Sequence, residues 1–139
     1  MVASADDVNE LVVGIRAGYG VLSSTGEWPA DDLLAANFEL HQDAFVDTGR
    51  VFLGPGAPGE LMRLFGLSFR DVTLEVEDVV VAPDSRLVAT VAVRGRGKAS
   101  GMAIDRRQGH VWSFSSGKAT AMQIHGQPAE ALKAVGLDG

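Results

Sequence analysis

The sequence predicts an α+β fold, with helices gathered on one face of a curved antiparallel sheet. Three observations lead there. Val8, Leu11, Val12, Ile15, Tyr19 and Leu22 recur at helical spacing near the N-terminus. From Asp71 to Gly126 the chain instead alternates with a period of two, in four long runs. A short apolar helix pattern then closes the chain from Pro128. Helices and strands that segregate along a chain in this way belong to the α+β class. A strongly curved sheet closed by helices leaves a cone, whose mouth can hold a small molecule.

Taken in order, the first helix covers residues 4–24. Ser4 and Asp7 make a capping-box pattern, which satisfies free N–H groups at a helix start. Gly26 supplies the stop. Gly14, Gly18 and Gly20 fall inside this helix, where each costs roughly 1 kcal/mol against alanine. They serve either close packing on a neighbour or room for a ligand beside Tyr19. Pro29 opens a second expected helix, since its missing N–H costs nothing at the first position. Asp31 and Asp32 suit the first turn, and Leu33, Leu34, Asn37 and Phe38 carry it toward His41 and Asp43. A short strand over 44–47, closed by Thr48-Gly49, and a brief one at 51–53 follow. The stretch GPGAPG at 54–59 is irregular, and it lacks the Lys-Ser/Thr of a phosphate loop. Pro58 opens a third helix, with Leu61, Leu64 and Phe65 inward. Residues 71–81 start as a strand with a wet face at Thr73, Glu75 and Glu77. Residues 86–95 return with Leu87, Ala89, Val91 and Val93 on one side.

The hairpin at 101–126 organises the rest, turning at Ser115-Ser116-Gly117. On its first arm Met102, Ile104, His110, Trp112 and Phe114 share one parity. Ala103, Asp105, Arg107, Gly109, Val111 and Ser113 share the other, so the two sets line opposite surfaces. Neither set is a row of exposed charges. Helices should cover one surface and a partner subunit the other. The apolar set with Trp112 and Phe114 is expected on the outer, subunit-facing side, unless a β-bulge near Arg106–Gln108 turns it inward.

Composition bounds the function. The chain has 139 residues, the size of one domain, and no linker divides 1–139. A net charge of −6 argues against a nucleic-acid surface. No cysteine is present, which removes disulfides, thiolate metal sites and thiol nucleophiles. No apolar run approaches the ~20 residues that span a bilayer, and the acidic start MVASADDVNE is unlike a signal peptide. A soluble, cytoplasmic protein with no membrane partner is the expectation. His110 and His125 lie on neighbouring strands, but a metal needs a third ligand. Neither a metal nor a cofactor is expected.

HQDAFVDTG, GHVWSFSSGKATAMQIHG and the tail AEALKAVGL resemble the SnoaL-like branch of the nuclear transport factor 2-like superfamily, over nearly the whole chain. That branch is related to ketosteroid isomerases and polyketide cyclases. The resemblance implies a cystatin-like curved antiparallel sheet, three N-terminal helices forming a cone, and a short C-terminal helix. It implies a homodimer. It places Tyr19 near the oxyanion-donating tyrosine of the isomerases and Asp47 within one residue of their general base. Their second, acidic oxyanion donor falls on Gly109, which has no carboxyl group. Fold alone does not give function.

Two functions follow as expectations. The first is a binder or cofactor-independent cyclase- or isomerase-like enzyme for a small, largely apolar molecule. Asp47 would be the base and Tyr19 the donor. Trp28, Phe45, Phe65, Arg107, Gly109, His110, Val111, Met122 and Ile124 would line the pocket. The second is a non-catalytic homodimeric binding or assembly module whose cone is filled by its own side chains, such as Trp28, Met62, Phe65 or Met122. Asp47 has an ordinary alternative as a turn residue bonding backbone N–H groups at Thr48-Gly49. Asp105 and Arg107 form either a surface ion pair or a charged pair inside the cone.

Overall fold

In the computed structural model, which describes residues 5–29, 33–42 and 50–137, nine elements follow one another. They are α1 (Ala5–Thr25), β1 (Leu34–Gln42), β2 (Arg50–Leu53), α2 (Ala57–Ser68), β3 (Phe69–Val81), β4 (Leu87–Gly97), β5 (Ala103–Ser115), β6 (Lys118–His125) and α3 (Pro128–Ala134). The strands form one mixed sheet in the order β2-β1-β6-β5-β4-β3. Among the described residues only the β1–β6 pair is parallel, which corrects the expected wholly antiparallel sheet.

Helix α1 forms where the apolar stripe predicts it. Val8, Leu11, Ile15, Tyr19 and Leu22 are all buried. It stops at Gly26, whose φ of +80° only glycine adopts without strain and whose N–H bonds Leu22 O at 2.8 Å. The expected cap at Ser4 lies outside the described residues. Ser23 on α1 donates to Leu74 O at 3.1 Å and accepts from Leu74 N–H at 2.8 Å. Helix α1 thereby covers part of the free edge of β3, which would otherwise be open to pairing.

The second expected helix is a strand. Phe38 and Leu40 are fully buried while Glu39 between them is exposed, a period of two. As β1, this stretch pairs with β2 on one side and β6 on the other. The two ladders pair its backbone on both sides from Glu39 to Gln42, and that tertiary gain overrides the local helix preference of its Leu and Ala residues. Of the three expected N-terminal helices, the long first one and the third, in the middle of the chain, are present as α1 and α2, and the expected short C-terminal helix is present as α3. The brief strand at 51–53 is present within β2. The strand expected at 44–47 lies outside the described residues.

The long hairpin turns on two residues, Ser116 and Gly117, both at positive φ (53° and 79°). Such turns match the twist of antiparallel strands. The β4–β5 register runs without a break from Leu87↔Trp112 to Arg96↔Ala103. No bulge interrupts 106–108 on that side. Even so, His110 and Trp112 face α1, and the reading that put them on the outer face is corrected. Trp112 joins the larger core with Tyr19, Phe38, Leu40, Leu87, Ala89 and Val91, and His110, buried beside it, meets the Tyr19 hydroxyl. Phe114, past a register shift at Ser113, packs against the same core.

The opposite face is not a bare apolar surface. At one end α3 covers it, and Val88, Val111, Ala131 and Val135 form a second, smaller core. At the other end it carries ion pairs. Arg94 meets Glu75 at 2.9 Å and Asp105 at 3.5 Å, and Arg107 meets Glu77 at 2.6 Å as well as Asp105. The aromatic face expected to drive a homodimer is therefore inside the protomer. Among the described residues, no helix is long and apolar enough to cross a membrane.

Candidate functional site

A chain of polar groups runs through the larger core. Trp112 Nε1–H donates to the Tyr19 hydroxyl at 3.2 Å. The Tyr19 hydroxyl meets His110 Nδ1, and His110 Nε2 meets Gln108 Oε1 at 2.9 Å. The carboxamide oxygen can only accept, so the imidazole proton belongs on Nε2 and Nδ1 accepts from tyrosine. Trp112, Tyr19 and His110 then each donate once in the same direction, and Gln108 accepts at the end. His110 is 1% exposed and Gln108 4% exposed. Burial pulls the His110 pKa down to about 3, and His125 adds to that. Burial likewise pushes the Tyr19 hydroxyl up, opposed in part by the Trp112 hydrogen bond. Both groups are neutral at ordinary pH.

Aromatic rings fill the space around this chain. Trp28 stands edge-on to Tyr19, with ring centres 5.6 Å apart, and 5.4 Å from Trp112. Phe38 stacks on Trp112 at 6.0 Å. Gly18 makes this possible, because a Cβ there would fall 2.1 Å from Trp28 Cζ2. The glycine leaves room for an indole and not for a ligand. Trp28 itself is 8% exposed, and its buried Nε1–H has no partner.

Outside the aromatic cluster a cleft of about 820 Å3 opens between the end of α1, the first turns of α2 and the start of β3. Trp28, Leu53, Met62, Phe69 and Val72 supply its apolar lining, and Glu27, Glu60, Arg63 and Asp71 its charges. Asp71 has a φ of 56°, at a register shift between Arg70 and Thr73. That left-handed position is one aspartate tolerates better than most residues.

The residues picked from sequence therefore divide. Tyr19, Trp28, Met122 and Ile124 are brought together in the larger core, His110 is buried against Tyr19, and Phe65 packs against the core. Arg107, Gly109 and Val111 are not with them. By parity they point to the opposite face, where Arg107 makes surface ion pairs and Val111 lies under α3. A Cβ on Gly109 would fall 2.4 Å from the Ala131 Cβ, so this position packs against α3 and does not enter the core. Asp47 and Phe45 lie outside the described residues. Sequence reasoning missed Gln108, although its i,i+2 spacing to His110 on a strand put the two on one face. It also missed Glu27, Glu60 and Asp71. No local pattern marks those three, because three separate elements bring them together. Among the described residues, no three His, Asp or Glu side chains are grouped closely enough to hold a metal ion.

No protein-family model matches the chain, and no curated protein does. Solved structures share its fold. A SnoaL-like polyketide cyclase candidate from Jannaschia sp. CCS1 superposes with a TM-score of 0.66 at 12% identity, over 100% of this chain and 99% of its own. A ketosteroid isomerase-like protein from Catenulispora acidiphila, solved with trimethylamine, gives 0.64 at 15% identity, over 92% and 93%. TerC, co-crystallised with polyporic acid, gives 0.63 at 17% identity, over 82% and 88%. At these identities the shared property is the fold.

Proposed function

We propose that this chain, which has the nuclear transport factor 2-like fold, is a small-molecule-binding module that takes its ligand in the cleft beside Trp28. The observation that carries this reading is the cleft: about 820 Å3, within the range of ligand pockets, with a lining that mixes apolar side chains with polar and charged ones. Its wall includes an indole whose buried N–H has no partner. Such an orphan costs ~1–3 kcal/mol, which an acceptor on a ligand could offset if Trp28 shifts to meet it.

Binding is preferred to proton-transfer catalysis for a physical reason. A tyrosine that polarises a substrate carbonyl must give that carbonyl its proton. The Tyr19 proton is directed at His110, Trp112 Nε1–H donates to the same oxygen, and Trp28 and Trp112 pack against the ring. A filled interior is the feature expected of a non-catalytic module. Two proteins of this fold hold small molecules, trimethylamine in one and polyporic acid in the other. They support a ligand role, and the ligand class has to be read from this chain's own cleft.

Ligand-observed NMR against a collection of neutral and charged fragments tests the proposal. Gly56 and Gly66 line the cleft, and a Cβ at either meets nothing within 4 Å. Gly56→Trp and Gly66→Phe should therefore fill the cleft and abolish the hits while the protein stays folded. An empty screen, or hits that survive both substitutions, overturns the reading.

A further inference from the structure

We propose that one tip of the molecule docks on the surface of an anionic lipid membrane. The end of α2, the start of β3 and the turn between β4 and β5 meet at this tip. Lys98 N–H donates to Ser68 O at 2.9 Å, and Gly97 N–H donates to Met102 O at 3.0 Å. In the β3–β4 ladder Phe69 lies opposite Gly97, and Arg70 lies opposite Arg96. Arg96 in turn lies opposite Ala103 on β5 and donates to Gly101 O at 3.1 Å. Leu67 comes just before Ser68 and Met102 ends the turn, so both stand at the tip.

Two independent features of the tip point to a lipid surface. The first is apolar exposure. Leu67 is 72% exposed and Met102 70%, among the most exposed large apolar side chains of the described residues. One such side chain is ordinary, but two on one tip make a patch. The second is charge. Arg70, Arg96 and Lys98 are exposed, and none of them enters an ion pair with a described residue. Arg70 and Arg96 face each other across the ladder, and like charges so placed destabilise a sheet. An anionic partner would relieve that repulsion. The carboxylates next along these strands are engaged elsewhere. Asp105 pairs with Arg94 and Arg107, and Asp71 lines the cleft. This basic tip stands on a chain whose net charge is −6. None of Leu67, Arg70, Arg96, Lys98 and Met102 lines the cleft. A helix end beside a hairpin turn offers no groove to hold the backbone of an acidic peptide. It can press two apolar side chains among lipid headgroups while the cations meet the phosphates. The lack of a spanning run led to the expectation of no membrane partner, but a surface contact needs no such run.

Co-sedimentation of the full chain with vesicles tests this. One set is phosphatidylcholine alone, the other an equal mixture of phosphatidylcholine and phosphatidylserine. The chain should pellet with the mixed vesicles and not with the neutral ones. Binding should weaken in about 0.5 M salt, where exposed charges are screened. Arg70→Gln/Arg96→Gln/Lys98→Gln should weaken it at least about tenfold, since each cation near an anionic surface is worth about fivefold. Leu67→Ser/Met102→Ser keeps the charge and should weaken it at least about threefold, through lost apolar burial. Lys118→Gln/Lys133→Gln removes exposed cations elsewhere and should bind as the wild type does. All these side chains are exposed, so each variant should melt within a few degrees of the wild type. No pelleting with the mixed vesicles, or equal pelleting with both compositions, overturns the proposal. So does wild-type binding by the triple variant or by the Leu67/Met102 variant. Binding to polyglutamate without binding to the mixed vesicles would assign the tip to an acidic protein instead.

Discussion

The Tyr19 hydroxyl on α1 donates to Nδ1 of His110 on β5, joining the first helix to the centre of the sheet through a buried hydrogen bond. The same oxygen accepts from Trp112 Nε1 at 3.2 Å. Tyr19→Phe would therefore strand two buried groups at once. An unpaired buried polar group costs ~1–3 kcal/mol, so urea unfolding should show a loss of roughly 2–4 kcal/mol. A double-mutant cycle of Tyr19→Phe with His110→Gln should give a coupling of ~0.5–3 kcal/mol, as contacting residues do. A loss within ~0.5 kcal/mol, the range of unremarkable surface changes, would show that the hydroxyl is not engaged.

His110 also sets a pH dependence. Its folded pKa of about 3 lies below the ordinary histidine value of about 6.5, so the unfolded chain binds the proton more readily. The stabilisation is complete above the unfolded pKa and is lost as the pH falls from about 6.5 toward about 3. The slope contributed is at most ~1.4 kcal/mol per pH unit. In urea melts between those limits, the wild type should lose stability more steeply than His110→Gln. Parallel pH profiles would count against a buried neutral imidazole.

The helix glycines divide by what they touch. A Cβ at Gly14 meets only Leu33, at 3.5 Å, an ordinary contact, so Gly14→Ala should gain up to about 1 kcal/mol from helix propensity. A Cβ at Gly18 would overlap the Trp28 ring, so Gly18→Ala should lose ~1–3 kcal/mol and shift Trp28 fluorescence. Equal melting temperatures for the two variants would contradict the placement of Trp28.

Gly109 gives a test of the α3 contact. Gly109→Ala should push α3 off the sheet, since its Cβ would meet Ala131 at 2.4 Å and Pro128 at 3.0 Å. A cost of ~1–3 kcal/mol in thermal melts is expected, with faster amide exchange across 128–134. Unchanged exchange there would mean that α3 does not rest on Gly109.

Much of this fold was legible in the sequence because periodicity reports local geometry. The α1 stripe and the alternation of β3 to β6 each carry their period within one element. The β1 segment was not legible as a strand. Its Leu-Ala-Ala run and the preceding Pro-Asp-Asp suit a helix, and only pairing with β6, far along the chain, decides otherwise. The parity of His110 and Trp112 was correct, but parity alone cannot say which face the helices cover. That was settled by Tyr19, whose hydroxyl reaches His110. The cleft was least legible. Glu27, Glu60 and Asp71 line one cleft because Gly59 lets the chain after α1 approach α2 and because β3 starts irregularly, and neither feature leaves a local pattern.

The central claim is that a small molecule binds beside Trp28 and leaves the Tyr19–His110–Trp112 chain in place. The chain has two tryptophans, so its indole N–H region contains two signals in a 15N-labelled sample. The Trp112 N–H is fixed on Tyr19, and the Trp28 N–H has no hydrogen-bond partner. On titration with a fragment that binds, the Trp28 indole signal should move in proportion to occupancy while the Trp112 signal stays where it is. A Trp28 signal unmoved at saturation would place the ligand elsewhere, and movement of the Trp112 signal would show that the ligand enters the core that this account holds to be filled.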